Sequence, residues 1–222
     1  MTIKTMPYLG SAMWGEWVEE SEVYKILDTF YDSGYRHIDI ATNYPINGKS
    51  ENLKQAIIWL SNWCLSTQCN DLKIYLKVGS TGNKRVNKIN LTPDFLKQEI
   101  NENFELFSTN LSTIGIHWDK RGKSDEELPS IKDTLESIYS FTKTNNLMVG
   151  FSGIENLKLY KEAIDFLNLT KDSFGDNVWF HCIWQYNAGT HQWYVNNSLK
   201  GSDTAGSSLA TSSQTGFAIA SR

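Results

Sequence analysis

Gly34-Tyr35-Arg36-His37-Ile38-Asp39-Ile40-Ala41-Thr42-Asn43-Tyr44 is the stretch on which the reading of this chain turns. His37–Ala41 reads as a short strand carrying an aspartate, and the residues after it form a loop that presents a tyrosine. Farther along, Lys77 ends the apolar run Ile74-Tyr75-Leu76-Lys77-Val78, and His117 ends Ile114-Gly115-Ile116-His117-Trp118. Four polar groups thus sit at or just beyond the ends of three expected strands. A phenol close to an ammonium, a carboxylate and an imidazole makes the parts of a proton-donating site.

Around this stretch the chain alternates. The run Tyr8 to Trp14 leads into a helix from about Glu20 to Asp32, where Val23, Ile26, Leu27 and Phe30 recur at helical spacing. Gly34 stops it. Strand His37–Ala41 is followed by a helix from Glu51 to Leu65 with Ser50 as its N-cap. Strand Lys73–Val78 follows. Thr92 then caps a helix that starts at Pro93, where the missing N–H costs nothing, and runs to about Phe107. Strand Thr113–Trp118, helix Ser130–Thr144, strand Leu147–Ser152, helix Leu157–Leu167 and strand Val178–Trp184 come next. The run Phe217–Ala220 makes a seventh strand. Between them, Asn187 to Gln214 is rich in Gly, Ser and Thr and reads as a long loop, with only Gln192–Leu199 able to start a helix.

Strands apolar on both faces, alternating with helices, indicate an α/β fold with a parallel sheet covered by helices. An open doubly wound sheet and a (β/α)8 TIM barrel both fit. No Gly-x-Gly-x-x-Gly follows the first strand. Polar residues recur at the ends of many strands, at Asp39, Lys77, His117, Ser152 and Gln185, as they do around a barrel mouth. The barrel is therefore expected.

Length and composition set outer bounds. The chain has 222 residues, enough for a substantial core at 40% hydrophobic and 13% aromatic content. Its formal charge of −4 comes without a basic stripe, so nucleic acid is not an expected partner. No apolar run reaches membrane-spanning length, and residues Met1 to Tyr8 lack a signal-peptide core. Cys64, Cys69 and Cys182 form neither a metal-ligand nor a disulfide pattern, and a cytoplasmic, metal-free protein is expected. His181 and His191 are assigned no role.

Taken in order, these motifs resemble the aldo-keto reductase family. The resemblance starts at Leu9-Gly10-Ser11-Ala12-Met13-Trp14 and is strongest over Gly34–Asp39 with Ala41, Tyr44 and Ser50-Glu51. It continues through Lys77, His117-Trp118, Val149-Gly150-Phe151-Ser152 and Gln185-Tyr186-Asn187. It implies an NAD(P)H-dependent oxidoreductase that reduces a small aldehyde or ketone to an alcohol. The family's catalytic tetrad falls on Asp39, Tyr44, Lys77 and His117. In that arrangement Tyr44 is the general acid; a free phenol keeps its proton to pH about 10, and a neighbouring Lys77 ammonium favours the charged form. Asp39 holds Lys77, and His117 donates a hydrogen bond to the carbonyl oxygen. The resemblance further implies NADPH as the usual cofactor, with NADH the alternative. Ser152 and Gln185 would hold its carboxamide, and Asp39 would lie near its ribose. Trp14, Trp17 and Trp118 would line an apolar substrate pocket, and Gly82 to Asn90 and Lys120 to Pro129 would be substrate-side loops.

The match departs from the family twice. Ser152 is followed by Gly153 where the family has Ser-Asn. The chain also stops after Gly216–Arg222, with Ser221 or Arg222 where the family stacks an aromatic on the nicotinamide. The expectation is a single domain over 1–222, a barrel truncated after its seventh strand, lacking the eighth strand and the 2′-phosphate segment. Such a barrel is monomeric or self-associates through its open edge. The competing reading is a catalytically impaired relative serving as a binding or regulatory protein. A barrel isomerase or lyase ranks lower, because it needs a phosphate site near the last two strands.

Overall fold

A computed structural model describes residues 7–84, 88–121 and 128–153, helical positions 158, 162 and 165, and three strands beyond residue 181. The chain divides into two compact units, one spanning Tyr8–Thr170 and the other Lys171–Arg222 with Met1–Pro7.

The first unit is a five-stranded parallel sheet in the order β1 (Tyr8–Gly10), β2 (His37–Ala41), β3 (Lys73–Val78), β4 (Leu111–Ile116) and β5 (Met148–Phe151). Four helices connect them: α1 (Glu20–Asp32), α2 (Gln55–Thr67), α3 (Pro93–Phe107) and α4 (Ile131–Thr144). Strand order equals chain order, as successive βα units wound in one direction require.

Period-two alternation separates the two faces of each strand. Ile38 and Ile40 of β2, Ile74, Leu76 and Val78 of β3, and Ile114 and Ile116 of β4 are fully buried. With them in one core cluster are Val23 and Leu27 of α1, Ile57 and Leu60 of α2, Leu96 and Ile100 of α3, and Leu135 and Ile138 of α4. The alternate positions, Asp39, Tyr75, Lys77, Gly115 and Gly150, share the opposite face, which in this fold is the barrel interior. There the Tyr75 ring lies across β4 and β5: a Cβ on Gly150 would come within 2.9 Å of its hydroxyl, and one on Gly115 would overlap the ring. Two glycines thus make room for one large side chain.

Local details follow the physics of element ends. Gly34, at φ 85°, turns the chain out of α1. Ser130 caps α4, its hydroxyl accepting from Asp133 N at 3.1 Å. Two expected caps are corrected. Thr92 stands at the N-cap of α3, but its hydroxyl donates to Asn90 Oδ1 at 2.7 Å and caps nothing. Ser50 starts only a short 3₁₀ turn, Ser50–Asn52, and α2 begins at Gln55. The reason is Lys54, whose left-handed backbone (φ 67°) breaks a continuous helix between them. The restart directs Ala56 N toward the carbonyl oxygen of Tyr44, at 3.3 Å, tying α2 to the loop that carries the tyrosine.

The second unit departs from the sequence reading. Instead of a parallel strand Val178–Trp184 followed by a long loop, it holds an antiparallel sheet of β6 (Cys182–Asn187), β7 (Thr190–Val195) and β8 (Ser198–Thr204). Within the segment expected to start a helix, Gln192–Val195 and Ser198–Leu199 are therefore strand. Its Trp193-Tyr194-Val195 core has the aromatic and β-branched character that fits a pleated surface. The expected helix Leu157–Leu167 is described only at Lys158, Glu162 and Asp165, each helical, and the run Phe217–Ala220 lies outside the described residues. Among the described residues no helix is long and apolar enough to cross a membrane.

Candidate active site

The C-terminal ends of β2, β3 and β4 bring Asp39, Tyr44, Lys77 and His117 together. Parallel pairing does most of this. Asp39 stands opposite Tyr75 and Ala41 opposite Lys77, so the Asp39 and Lys77 side chains share the interior face one step apart. Lys77 Nζ lies 2.6 Å from Asp39 Oδ1 and donates to the Tyr44 hydroxyl at 2.9 Å. On the other side of that hydroxyl is His117 Nε2, at 3.4 Å. The Tyr44 and His117 rings meet edge to face, 5.3 Å apart at 84°.

Backbone bonds beyond the strands hold these groups. Thr42 N donates to the Lys77 carbonyl oxygen (3.0 Å), His117 N to that of Val78 (2.9 Å) and Ser152 N to that of Ile116 (2.8 Å). Ser11 donates through both N (3.1 Å) and Oγ (2.8 Å) to the Asp39 carbonyl oxygen. The tyrosine loop and the loop after β3 are clasped together. Gly48 N donates to the Asn83 carbonyl oxygen at 2.8 Å and Asn83 Nδ2 to that of Lys49 at 2.6 Å, while Asn47 Nδ2, donating to the Gly15 carbonyl oxygen at 3.1 Å, ties the tyrosine loop to the loop after β1.

The charges are unevenly placed. The Lys77 side chain is 7% exposed and that of Asp39 26% exposed. Burial alone would lower the Lys77 pKa, but Tyr44 and Asp39 outweigh it, and the net direction is upward, so the ammonium persists. His117 is pushed the other way, down to about 3, by burial and by the Lys77 charge. It is a neutral imidazole at any physiological pH. Behind the site, the buried Glu99 of α3 accepts from Gly79 N at 2.9 Å. Burial raises its pKa, an effect that the Gly79 N–H opposes.

The tryptophans occupy three different environments. Trp14 is buried in the core, Trp17 is 67% exposed, and Trp118 lies beside His117 with ring centroids 5.4 Å apart. Ser152 is half-buried just past β5, the strand beside β4. Gln185 lies in β6 of the second unit, and its side chain is outside the described residues. In the loop after β4, Arg121 bridges Asp119, Thr134 and the Pro129 carbonyl oxygen, pinning that loop to α4. Among the described residues no three His, Cys, Asp or Glu side chains group as metal ligands.

Two participants escaped the sequence reading, and the reason for a third residue, Gly153, was not visible in it. Asn43 and Ser80 are buried and both touch His117 Nδ1, Asn43 Oδ1 at 3.0 Å and Ser80 Oγ at 3.3 Å. Asn43 is a buried polar residue inside the very stretch that decides the fold, but its burial is a tertiary fact. Gly153 explains a departure from the family. At φ 59°, a Cβ there would meet the Trp118 ring and, at 2.8 Å, the His117 carbonyl oxygen, so only glycine lets Trp118 lie beside the imidazole.

The sequence matches the aldo/keto reductase family over residues 8–175. A Schizosaccharomyces pombe protein provisionally named an aryl-alcohol dehydrogenase is 28% identical over 145 residues, 56% of this chain and 44% of its own length. An aldo-keto reductase of Bacillus halodurans, solved in a holo form, superposes with a TM-score of 0.53 at 16% identity over 71% of this chain and 48% of its own. A Pseudomonas aeruginosa protein provisionally named an aldo-keto reductase gives 0.52 at 16% identity, over 71% and 58% respectively. These likenesses establish the shared fold, and this chain spans about half the length of the relatives it matches.

Proposed function

The chain belongs to the aldo/keto reductase family, and from that membership we propose that it reduces a small aldehyde or ketone to an alcohol with a nicotinamide cofactor. The observation that carries the reading is the Tyr44 hydroxyl, which receives a hydrogen bond from Lys77 at 2.9 Å while Lys77 is held by Asp39 at 2.6 Å. A reduced nicotinamide, when bound, supplies a hydride to the carbonyl carbon. The chain's residues serve the oxygen. As negative charge grows there, Tyr44 gives up its proton: the phenolic O–H bond breaks, an O–H bond forms on the substrate, and a phenolate remains. The Lys77 ammonium faces that phenolate and stabilises it in a site largely shielded from water. Asp39 keeps the ammonium from turning away.

The described residues fit the cofactor in one respect. Ser152 offers a half-buried hydroxyl past β5 that engages no group among the described residues, and it would hold the carboxamide. NADPH is the favoured form on family grounds alone, and a cytoplasmic, metal-free enzyme acting on a small molecule fits this reading. Tyr44→Phe is the test. It removes the proton and little else, so turnover should vanish while the fold and cofactor affinity persist. Carbonyl reduction by Tyr44→Phe at the parent rate would defeat the assignment.

One observation favours a second reading, a binding or regulatory relative with weak cofactor affinity. The segment carrying Gln185 pairs antiparallel with β7 rather than as a parallel barrel strand. Titration with NADPH, followed by tryptophan emission, separates the two. Trp118 beside His117 should be quenched in an enzyme and unaffected in a protein that binds no nicotinamide.

A further inference from the structure

We infer that Asn43 is a positioning residue that sets the tautomer of His117: its amide oxygen accepts a hydrogen bond from Nδ1–H and so leaves the Nε2 lone pair facing the Tyr44 hydroxyl. This rests on the reading of Tyr44 as the proton donor and sharpens it.

The argument is one of donors and acceptors. An asparagine amide has a nitrogen end that only donates and an oxygen end that only accepts. Asn43 Nδ2 donates to the Gly82 carbonyl oxygen at 3.2 Å, and that carbonyl can only accept. The amide is therefore oriented with Oδ1 toward His117 Nδ1, 3.0 Å away. An oxygen in that place needs a proton from the ring, so Nδ1 bears it. The reversed amide would set two buried oxygens against each other, and the population bias from one such mismatch is on the order of tenfold to a hundredfold. The imidazole is neutral, held so by burial and by Lys77, so Nε2 carries no proton.

At the other edge of the ring, Lys77 can only donate, and it donates to the Tyr44 oxygen. The tyrosine's own proton is thereby free to turn toward Nε2. The result is a chain of hydrogen bonds running one way, from Lys77 through Tyr44, His117 and Asn43 to the Gly82 carbonyl. Aligned bonds of this kind polarise one another. Ser80 Oγ, 3.3 Å from Nδ1, can give or take a proton and so does not decide the tautomer.

The consequence departs from the role expected of His117. A carbonyl oxygen has only lone pairs, and so does Nε2 in this tautomer. His117 therefore does not donate to the substrate. It holds the Tyr44 proton in line, and the arriving carbonyl takes that proton over from it. For an alcohol ligand the same lone pair is a ready acceptor.

The test is a proton–nitrogen NMR correlation on the full chain labelled with ¹⁵N-histidine, with His117 assigned by comparison with His117→Asn. The expected result is a proton on Nδ1 and a bare Nε2. Asn43→Leu removes the acceptor, the Ser80 hydroxyl can then donate to Nδ1, and the tautomer ratio should shift toward Nε2–H by about tenfold or more. Asn43→Asp supplies an acceptor of the same shape. It should keep the Nδ1 proton and raise the titration midpoint of the ring, whose charged and titratable neighbours are Lys77, Tyr44 and, through Lys77, Asp39. A proton found on Nε2 in the parent protein, or an unchanged ratio in folded Asn43→Leu, overturns the inference. So does loss of the Nδ1 proton in Asn43→Asp, which also decides the matter should the leucine variant not fold. The readout needs no turnover, so it stands or falls separately from the Tyr44→Phe result.

Discussion

Replacing Lys77 with methionine isolates the electrostatic element of the proposed proton transfer. Methionine is similar in length and apolar, so the interior stays filled while the ammonium disappears. With Nζ 2.9 Å from the Tyr44 oxygen, a full phenolate charge at an effective dielectric of about 20 interacts with the ammonium by about 6 kcal/mol. A transition state that has developed about half of that charge loses about 3 kcal/mol, or roughly a hundredfold in kcat. The substitution also strands Asp39. Because its side chain is 26% exposed, water can reach the carboxylate, and the stability cost should fall below the ~3–5 kcal/mol of breaking a fully buried pair. The assay is the loss of reduced-nicotinamide absorbance with saturating carbonyl substrate, beside a urea titration that verifies folding. The expected pattern is a collapse of kcat with little change in KM, since the lost interaction grows only as the proton leaves. A folded Lys77→Met protein with kcat within about threefold of the parent would refute the reasoning.

The buried imidazole and the glycine beneath Trp118 give two further tests. The folded protein holds His117 at a pKa of about 3, far below its unfolded value of about 6.5. Above pH 6.5 the ring is neutral in both states; below it, the unfolded chain gains the proton first. Stability should therefore fall with acidification, from about pH 6.5 until the folded pKa is reached, by up to about 1.4 kcal/mol per pH unit from this group. Denaturant titrations at pH 7.5 and pH 5 should differ by about 2 kcal/mol more in the parent than in His117→Asn; equal slopes would contradict the buried neutral ring. Gly153→Ala puts a methyl where Trp118 lies, on a left-handed backbone. It should destabilise by about 2 kcal/mol or more, and an unchanged unfolding midpoint would mean that Trp118 is not held there.

Much of the first unit was legible in the chain. The limits of α1, α3, β2 and β3 coincide with those read from apolar periodicity and punctuation. These elements bury one continuous apolar face, so the pattern and the packing agree. The start of α2 was not legible, because one residue, Lys54, takes a left-handed conformation that nothing in its side chain announces. The second unit was misread for a different reason. A run such as Cys182–Asn187 shows that a strand forms but not the direction of its partner. The two-residue spacing between that run and Thr190-His191-Gln192-Trp193-Tyr194-Val195 was the available hairpin signal.

For the candidate site the division is sharper. The Gly34–Tyr44 stretch, with Lys77 and His117 at later strand ends, was enough to name the four side chains, because parallel strands in chain order carry their C-terminal ends to one side of the sheet. It could not say how they are wired. That the Tyr44 hydroxyl stands between an ammonium and an imidazole, and that the imidazole's far nitrogen meets Asn43, depends on register, burial and side-chain direction. A hydrogen-bond network is settled only when every buried donor and acceptor has found its counterpart, and those counterparts come from strands and loops 33 to 74 residues apart.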